Sequence, residues 1–336
     1  MADNVADFRM AVLVTGSAGH LGEALMRMLR ERGHSPIGVD IKPSAFTTET
    51  GSITDRAFVK RCMAGAHAVL HAATLHKPHV ATHSRQAFVD TNITGTLNLL
   101  EEAAATGVGA FVFTSTTSVF GRALTPGPGA PAAWITEEVV PLPKNIYGVT
   151  KLAAEQLCEL FHRIRGLRCL ILRTSRFFPE PDDRKDTRDS YEDANVKVNE
   201  FLYRRADIED VANAHLLALE RAQDIGFGRY IVSATTPFTR DDLRELHSDA
   251  AAVVRRRVPE YEDLYRSWGW VMFPRIDRVY VNERLRTDLG WKPRYDFAHV
   301  VDVLRRGGSP RSELAEAIGS KGYHAETFTD GPYPVE

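Results

Sequence analysis

Residues 10–22, MAVLVTGSAGHLG, constrain this chain more than any other stretch. The apolar run 11–14 predicts a buried strand. Gly16, Gly19 and Gly22 then follow at intervals of three. That spacing predicts a tight turn leading straight into a helix. The first N–H groups of a helix have no intrahelical partner and carry the positive end of its dipole. Such a turn therefore offers a seat for phosphate. A glycine facing the ligand lets the backbone approach closely. Glycines also punctuate ordinary strand–helix turns, so the surrounding chain decides between the two readings.

Residues 21–32 predict a helix with Leu21, Leu25, Met28 and Leu29 on one face, ended by Gly33. Residues 36–40 predict a second strand. The resulting βαβ unit makes the glycine turn a dinucleotide-binding fingerprint. Asp40 ends the second strand. A carboxylate there can accept hydrogen bonds from both adenosine ribose hydroxyls and would repel a 2′-phosphate, so NAD is expected rather than NADP.

Strand and helix signals alternate through about residue 173, with strands at 68–72, 110–114 and 169–173 and helices at 88–105 and 147–162. This predicts an α/β fold, a doubly wound parallel sheet of the Rossmann type with a smaller C-terminal substrate lobe. Residues 1–173 and 206–235 are assigned to the NAD-binding domain. Residues 174–205 and 236–306 go to the lobe, and 307–336 to a C-terminal tail. A Pro- and Gly-rich stretch at 121–144 reads as a flap. The densely charged segment 180–205 reads as a surface excursion. In the tail, a short helix at 312–318 precedes an extended end.

Several classes are excluded on composition. A net charge of −2 over 336 residues leaves no electrostatic footprint for nucleic acid or an anionic membrane. Cys62, Cys158 and Cys169 are scattered, which suits reduced thiols in a cytoplasmic protein. The opening residues carry Asp3 and Asp7 and lack the basic and apolar regions of a signal peptide. No apolar run approaches the ~20 residues that span a bilayer. His76, His79 and His83 have spacings that suggest a metal site. No Cys or carboxylate stands beside them, and Pro78 interrupts the segment. A polar loop lining the cleft is the better reading, and no metal is expected.

Tyr147 and Lys151 stand four apart on a predicted helix, hence on one face. Upstream, the hydroxyl cluster Ser115, Thr116, Thr117 and Ser118 ends a parallel strand. Ligands of open α/β sheets bind at that carboxyl edge, where the glycine turn also lies. An alcohol gives up hydride readily only as its oxygen loses its proton. Tyr147 can take that proton if Lys151 and a cationic nicotinamide ring favour the phenolate. Thr116 can donate to the substrate oxygen.

These residues together resemble the extended short-chain dehydrogenase/reductases, the NAD-dependent epimerase/dehydratase family. The resemblance rests on residues 15–22, Asp40, residues 71–73, Asn92 with Gly95 and Thr96, residues 115–121, Tyr147 with Lys151, and residues 289–293 (LGWKP). It implies that Gly16, Ser17, Gly19, His20, Leu21 and Gly22 surround the pyrophosphate and that Asp40 holds the ribose. Ser52 and Ile53 would flank adenine, with Ser52 standing where the family often has an acid. His71, Ala72 and Ala73 would line the cofactor channel, and Asn92, Tyr147 and Lys151 would complete the cofactor site. Thr116, Tyr147 and Lys151 would be the catalytic set. Phe120 replaces a common tyrosine. Thr117 and Arg176 are expected at the substrate. Arg176 either clamps a carboxylate or phosphate or pairs with local acids such as Glu180. The family also implies a homodimer through helices 88–105 and 147–162.

The segment between residues 173 and 210 is short and lacks an asparagine-rich cradle for a uridine diphosphate. The leading expectation is therefore an NAD-dependent oxidoreductase acting at a secondary alcohol or ketone of a small polar, sugar-derived molecule. The alternatives are a nucleotide-sugar 4-epimerase or dehydratase that retains its NAD, and a non-catalytic NAD-binding regulatory protein.

Overall fold

A computed structural model describes residues 9–324, 326, 328–329 and 331–334. The acidic N-terminal residues 1–8, and residues 325, 327, 330, 335 and 336 of the tail, lie outside them. The main sheet is built from β1 (Ala11–Thr15), β2 (Ser35–Asp40), β3 (Glu49–Thr50), β4 (Ala68–His71) and β5 (Ala110–Thr116). A short strand, β6 (Ala133–Ile135), lies outside it, and β7 (Cys169–Thr174) and β8 (Phe227–Val232) complete it. Its order is β3-β2-β1-β4-β5-β7-β8, every pair parallel.

Alternate residues of each central strand serve opposite faces. Val12, Val14, Leu70, Val112, Leu170 and Leu172 pack against the helices His20–Glu31 and Ile208–Ile225. Leu13, Val69, Phe111, Phe113 and Ile171 pack against Arg56–Met63, Gly95–Thr106 and Ile146–Arg165. A sheet covered on both faces explains why these strands read as unbroken apolar runs. The chain winds from β1 outward to β2 and β3, then returns to β4 on the other side of β1. That reversal opens a crevice at the carboxyl ends of β1 and β4, where the rule for open sheets places a ligand.

A further core gathers Val196, Phe201, Leu202, Leu246, Val254, Tyr265, Phe297 and Val300. Four differences from the sequence reading stand out. The flap at 121–144 supplies β6, which pairs in parallel with β9 (Arg278–Tyr280). The expected helix 88–105 contains a π-helical turn, Val89–Thr94, where Thr96 Oγ1 also donates to the Asn92 carbonyl at 2.7 Å. The charged segment 180–205 is not a surface excursion throughout: Glu180, Asp182, Asp183, Glu200 and Arg205 are buried. Opposite charges within the segment and its flanks make that possible. The tail, finally, folds back against the main sheet's crevice.

Beneath helix Ile146–Arg165 lies a buried ion pair. Glu155 is 0% and Arg173 3% exposed, joined by Arg173 Nη2–Glu155 Oε2 at 2.7 Å and Nε–Oε1 at 3.0 Å. Ser115 Oγ donates to the same carboxylate at 2.5 Å, and Arg229 Nε lies 3.6 Å away. The pair ties helix Ile146–Arg165 to the ends of β5 and β7. Arg173→Met should cost on the order of 3 kcal/mol, because it strands a buried carboxylate. The double variant E155M/R173M should recover most of that loss in urea unfolding.

Candidate active site

The glycine turn forms because nothing larger fits. Gly16 has φ +76°, and a Cβ there would stand 2.8 Å from the Ala73 nitrogen. A Cβ on Gly22 would fall 1.9 Å from the Gly16 carbonyl oxygen. Gly19 caps helix His20–Glu31, whose first regular bond runs from Glu23 N–H to the Gly19 carbonyl at 3.0 Å. The N–H groups of His20, Leu21 and Gly22 precede that bond and border the crevice. Across it, Thr15 Oγ1 accepts from the N–H groups of Ala72 (3.2 Å) and Ala73 (3.1 Å), locking the ends of β1 and β4 together.

One cavity of about 1120 Å³ collects most of the expected residues. Gly16, Gly19, His20, Leu21, Gly22, Asp40, Ser52, Ile53, Ala72 and Ala73 line one end. Thr116, Thr117, Tyr147, Lys151 and Arg176 line its middle. The Asp40 carboxylate accepts from Ala18 N–H at 3.0 Å and Lys42 N–H at 2.9 Å, which aims it at the rim.

Three expected cofactor residues are not on the wall. Ser17 is fully buried, its N–H spent on the Val39 carbonyl and its Oγ on Thr47 Oγ1 at 3.1 Å. The His71 ring is turned into the core, with Nδ1 2.7 Å from Thr15 Oγ1 and Nε2 2.9 Å from Thr96 Oγ1. Since Thr96 donates onward to Asn92, the proton belongs on Nε2 and Thr15 donates to Nδ1. Burial holds His71 well below its ordinary pKa, consistent with a neutral ring. Asn92 accepts from Thr74 Oγ1 and Leu75 N–H, each at 2.9 Å, and donates to Thr150 Oγ1 at 3.0 Å. It fixes the loop after β4 to helix Ile146–Arg165 instead of facing the cleft.

The three expected catalytic residues converge. Thr116 ends β5 in register with Thr174. Tyr147 lies in the first turn of helix Ile146–Arg165, which Asn145 caps by accepting from Gly148 N–H at 3.1 Å. Tyr147 and Thr116 line the same stretch of the cavity, and the Thr116 side chain favours the Tyr147 phenolate. Lys151 lies one turn later, its Nζ 4.0 Å from the centre of the Phe113 ring. Burial pushes the Tyr147 phenol up to about 12, against the opposing influence of Thr116. Burial likewise pushes Lys151 down to about 7, against Cys158 and Glu155. The sequence predicts that Lys151 and a cationic nicotinamide ring together favour the phenolate. In the protein's own field, desolvation wins at both groups.

Lys151 is 2% exposed, and its folded value lies below the unfolded value of about 10.4. Between those values the unfolded chain binds the extra proton, so this group adds stability as pH rises. The cofactor-stripped protein should gain urea resistance from pH 7 to 9, and Lys151→Met should flatten that gain.

Arg176 is not free to clamp a substrate. Its guanidinium pairs with Asp182, with Glu200 at 2.7 Å and with Asp183 at 3.1 Å. Burial alone would raise Glu200, but Arg176, Arg204 and Arg205 hold it below the carboxylate range. Arg278 is a cavity cation that residue type alone did not reveal. It lines the far end of the cavity with its Nε buried and unbonded and its Cζ 5.7 Å from the centre of the Tyr203 ring. Among the described residues it has no carboxylate partner. Glu180, Lys321, Gly322, Tyr323 and His324, which carry no site signal in the sequence, also line the cavity.

Among the described residues, no group of three or more His, Cys, Asp or Glu is arranged to hold a metal. Among the same residues, no helix is long and apolar enough to cross a membrane.

This geometry defines an α/β protein with a glycine turn at the switch point of its sheet and Tyr147 and Lys151 on the wall of the same crevice. Residues 12–232 match the NAD dependent epimerase/dehydratase family, and the chain belongs to it. It is an enzyme of the extended short-chain dehydrogenase/reductase type, and its cofactor is NAD. The close glycine turn, the free helix N–H groups and Asp40 fit that cofactor. A UDP-glucose 4-epimerase of Rhizobium meliloti (strain 1021) is 26% identical, over 90% of this chain and 98% of its own. A dTDP-glucose 4,6-dehydratase of Streptomyces antibioticus is 31% identical over 87% and 90%. A short-chain dehydrogenase/reductase superfamily protein from Agrobacterium tumefaciens, solved with NAD bound, superposes with a TM-score of 0.62 at 24% identity, covering 91% and 99%.

Proposed function

We propose that this enzyme oxidises and re-reduces a secondary alcohol of a sugar carrying an anionic group, with NAD retained through the cycle. The observation that carries this reading is the single cavity running from the glycine turn, past Thr116, Tyr147 and Lys151, to the unpaired Arg278. A diphosphate or carboxylate suits Arg278. The epimerase and dehydratase relatives, matched over most of their length, support a sugar nucleotide.

Bound NAD supplies the hydride acceptor and a cationic ring. Thr116 Oγ1 and Tyr147 Oη hold the substrate hydroxyl, and Tyr147 Oη takes its proton as the carbon is oxidised. Bringing a phenol from about 12 to neutrality needs about 7 kcal/mol, at about 1.4 kcal/mol per unit. One cation at ~4 Å supplies about 4 kcal/mol in a partly screened site. Lys151 and the nicotinamide ring are therefore both required. Lys151, itself poised near 7, gains its full charge as the phenolate forms.

Incubation with UDP- and dTDP-hexoses should change the sugar by NMR while no NADH accumulates at 340 nm. Tyr147→Phe should lower turnover at least a thousandfold and still bind NAD. Stoichiometric NADH release would instead establish a dehydrogenase of small sugar derivatives, the reading that the short 174–205 segment favours.

We also propose a homodimer through the catalytic helix. Val149, Leu160 and Ile164 are 49%, 37% and 59% exposed along it, beside Ile93, Ala153 and Leu157. Sedimentation at micromolar concentration should give a dimer, and Leu160→Glu a monomer.

A further inference from the structure

The C-terminal tail is tied to three rims of the cofactor crevice. On the first rim, Lys321 Nζ pairs with Glu23 of helix His20–Glu31 at 2.6 Å. On the second, the loop after β4, His324 Nε2 donates to the Pro78 carbonyl at 2.9 Å, and His79 Nε2 meets the Tyr323 carbonyl at 3.3 Å. On the third, the loop after β7, the Glu180 carboxylate gathers the tail. Its Oε1 accepts from Ser320 Oγ at 2.8 Å and from the N–H groups of Lys321 and Gly322, each at 3.1 Å. Its Oε2 accepts from Tyr323 Oη at 3.0 Å. His20, at the first turn of the glycine-turn helix, stands 2.9 Å from the same Oε1.

Rings fill the space between these bonds. Tyr323 lies 5.0 Å from His76, 5.8 Å from Phe178 and 5.5 Å from Tyr333. His79 lies 5.2 Å from His324. The histidines whose spacing suggested a metal are packing partners of the tail. Lys321, Gly322, Tyr323 and His324 border the same cavity as Gly19, His20 and Leu21. A segment joined to opposite rims of a crevice obstructs the passage of whatever lies beneath it.

We propose that residues 320–324 form a clasp over the NAD pyrophosphate, with Glu180 as its anchor, and that the clasp sets how slowly the cofactor leaves. The inference rests on the crevice being the NAD site, and not on the identity of the sugar. A closed clasp keeps reduced cofactor in place until its hydride returns to the substrate. The side chains of Glu180 and Tyr323 act through the tail and so are positioning residues.

The test is the release of NADH from the full-length holoenzyme, followed by its fluorescence after a chase with excess NAD. Deleting residues 320–336 should speed release at least tenfold. Glu180→Gln and Tyr323→Phe, in the full chain, should each speed it at least threefold. Release within twofold of wild type in all three, with cooperative unfolding retained, overturns the clasp and leaves the proposed function standing. A wild-type protein that binds no NADH in the crevice overturns both. The two full-chain variants keep the test decisive if the truncated protein fails to fold.

Discussion

The whole arrangement depends on a close backbone approach at the ends of β1 and β4. A Cβ at Gly22 would overlap the Gly16 carbonyl, and a Cβ at Gly16 would press on Ala73. With hydrogen in both places, helix His20–Glu31 can start directly behind the strand, its first N–H groups facing the crevice. Thr15 then joins the two strand ends through one hydroxyl. The reversal of strand order leaves room at this point and at no other between neighbouring central strands. Moving the glycines would close the crevice before any question of chemistry arose.

Around that crevice the protein buries charge wherever it also supplies a partner. Glu155 and Arg173 anchor helix Ile146–Arg165, and Glu200 is shared among three arginines. Two groups depart from this pattern. Lys151 is buried over the Phe113 ring with no ion pair among the described residues, and Arg278 Nε has no hydrogen-bond partner among them. Both face the cavity. Other buried polar atoms also lack partners, among them Ser175 Oγ and Arg204 Nε in the cavity and His34 Nδ1, Asn195 Nδ2 and His299 Nε2 away from it. It is therefore the place of Lys151 and Arg278 on the cavity wall that points to ligand atoms. The same desolvation that raises the Tyr147 phenol makes the cationic ring and Lys151 worth more to it than they would be in water.

The sheet was legible because its signals are local. Runs such as residues 110–113 and 169–172 announce doubly covered strands, and the spacing of Tyr147 and Lys151 fixes their shared helix face. What escaped is non-local. Nothing in the residue type of Ser17, His71 or Asn92 tells whether a side chain at a strand end or helix turn faces the crevice or the core. Their partners Thr47, Thr96 and Thr150 are distant in sequence or on other elements. Residues 180–205 looked solvated because their compensating arginines become visible only when Arg176 and Glu200 are brought together. The pairing of β6 with β9 and the return of the tail to Glu180 join segments more than a hundred residues apart.

The most direct test of the account is a crystal structure of the protein with NAD. The pyrophosphate should lie within hydrogen-bond reach of the His20 and Leu21 N–H groups. The adenosine ribose should sit on Asp40, and the nicotinamide beside Tyr147 and Lys151. A pyrophosphate placed away from the start of helix His20–Glu31, or a nicotinamide remote from Tyr147, would contradict it.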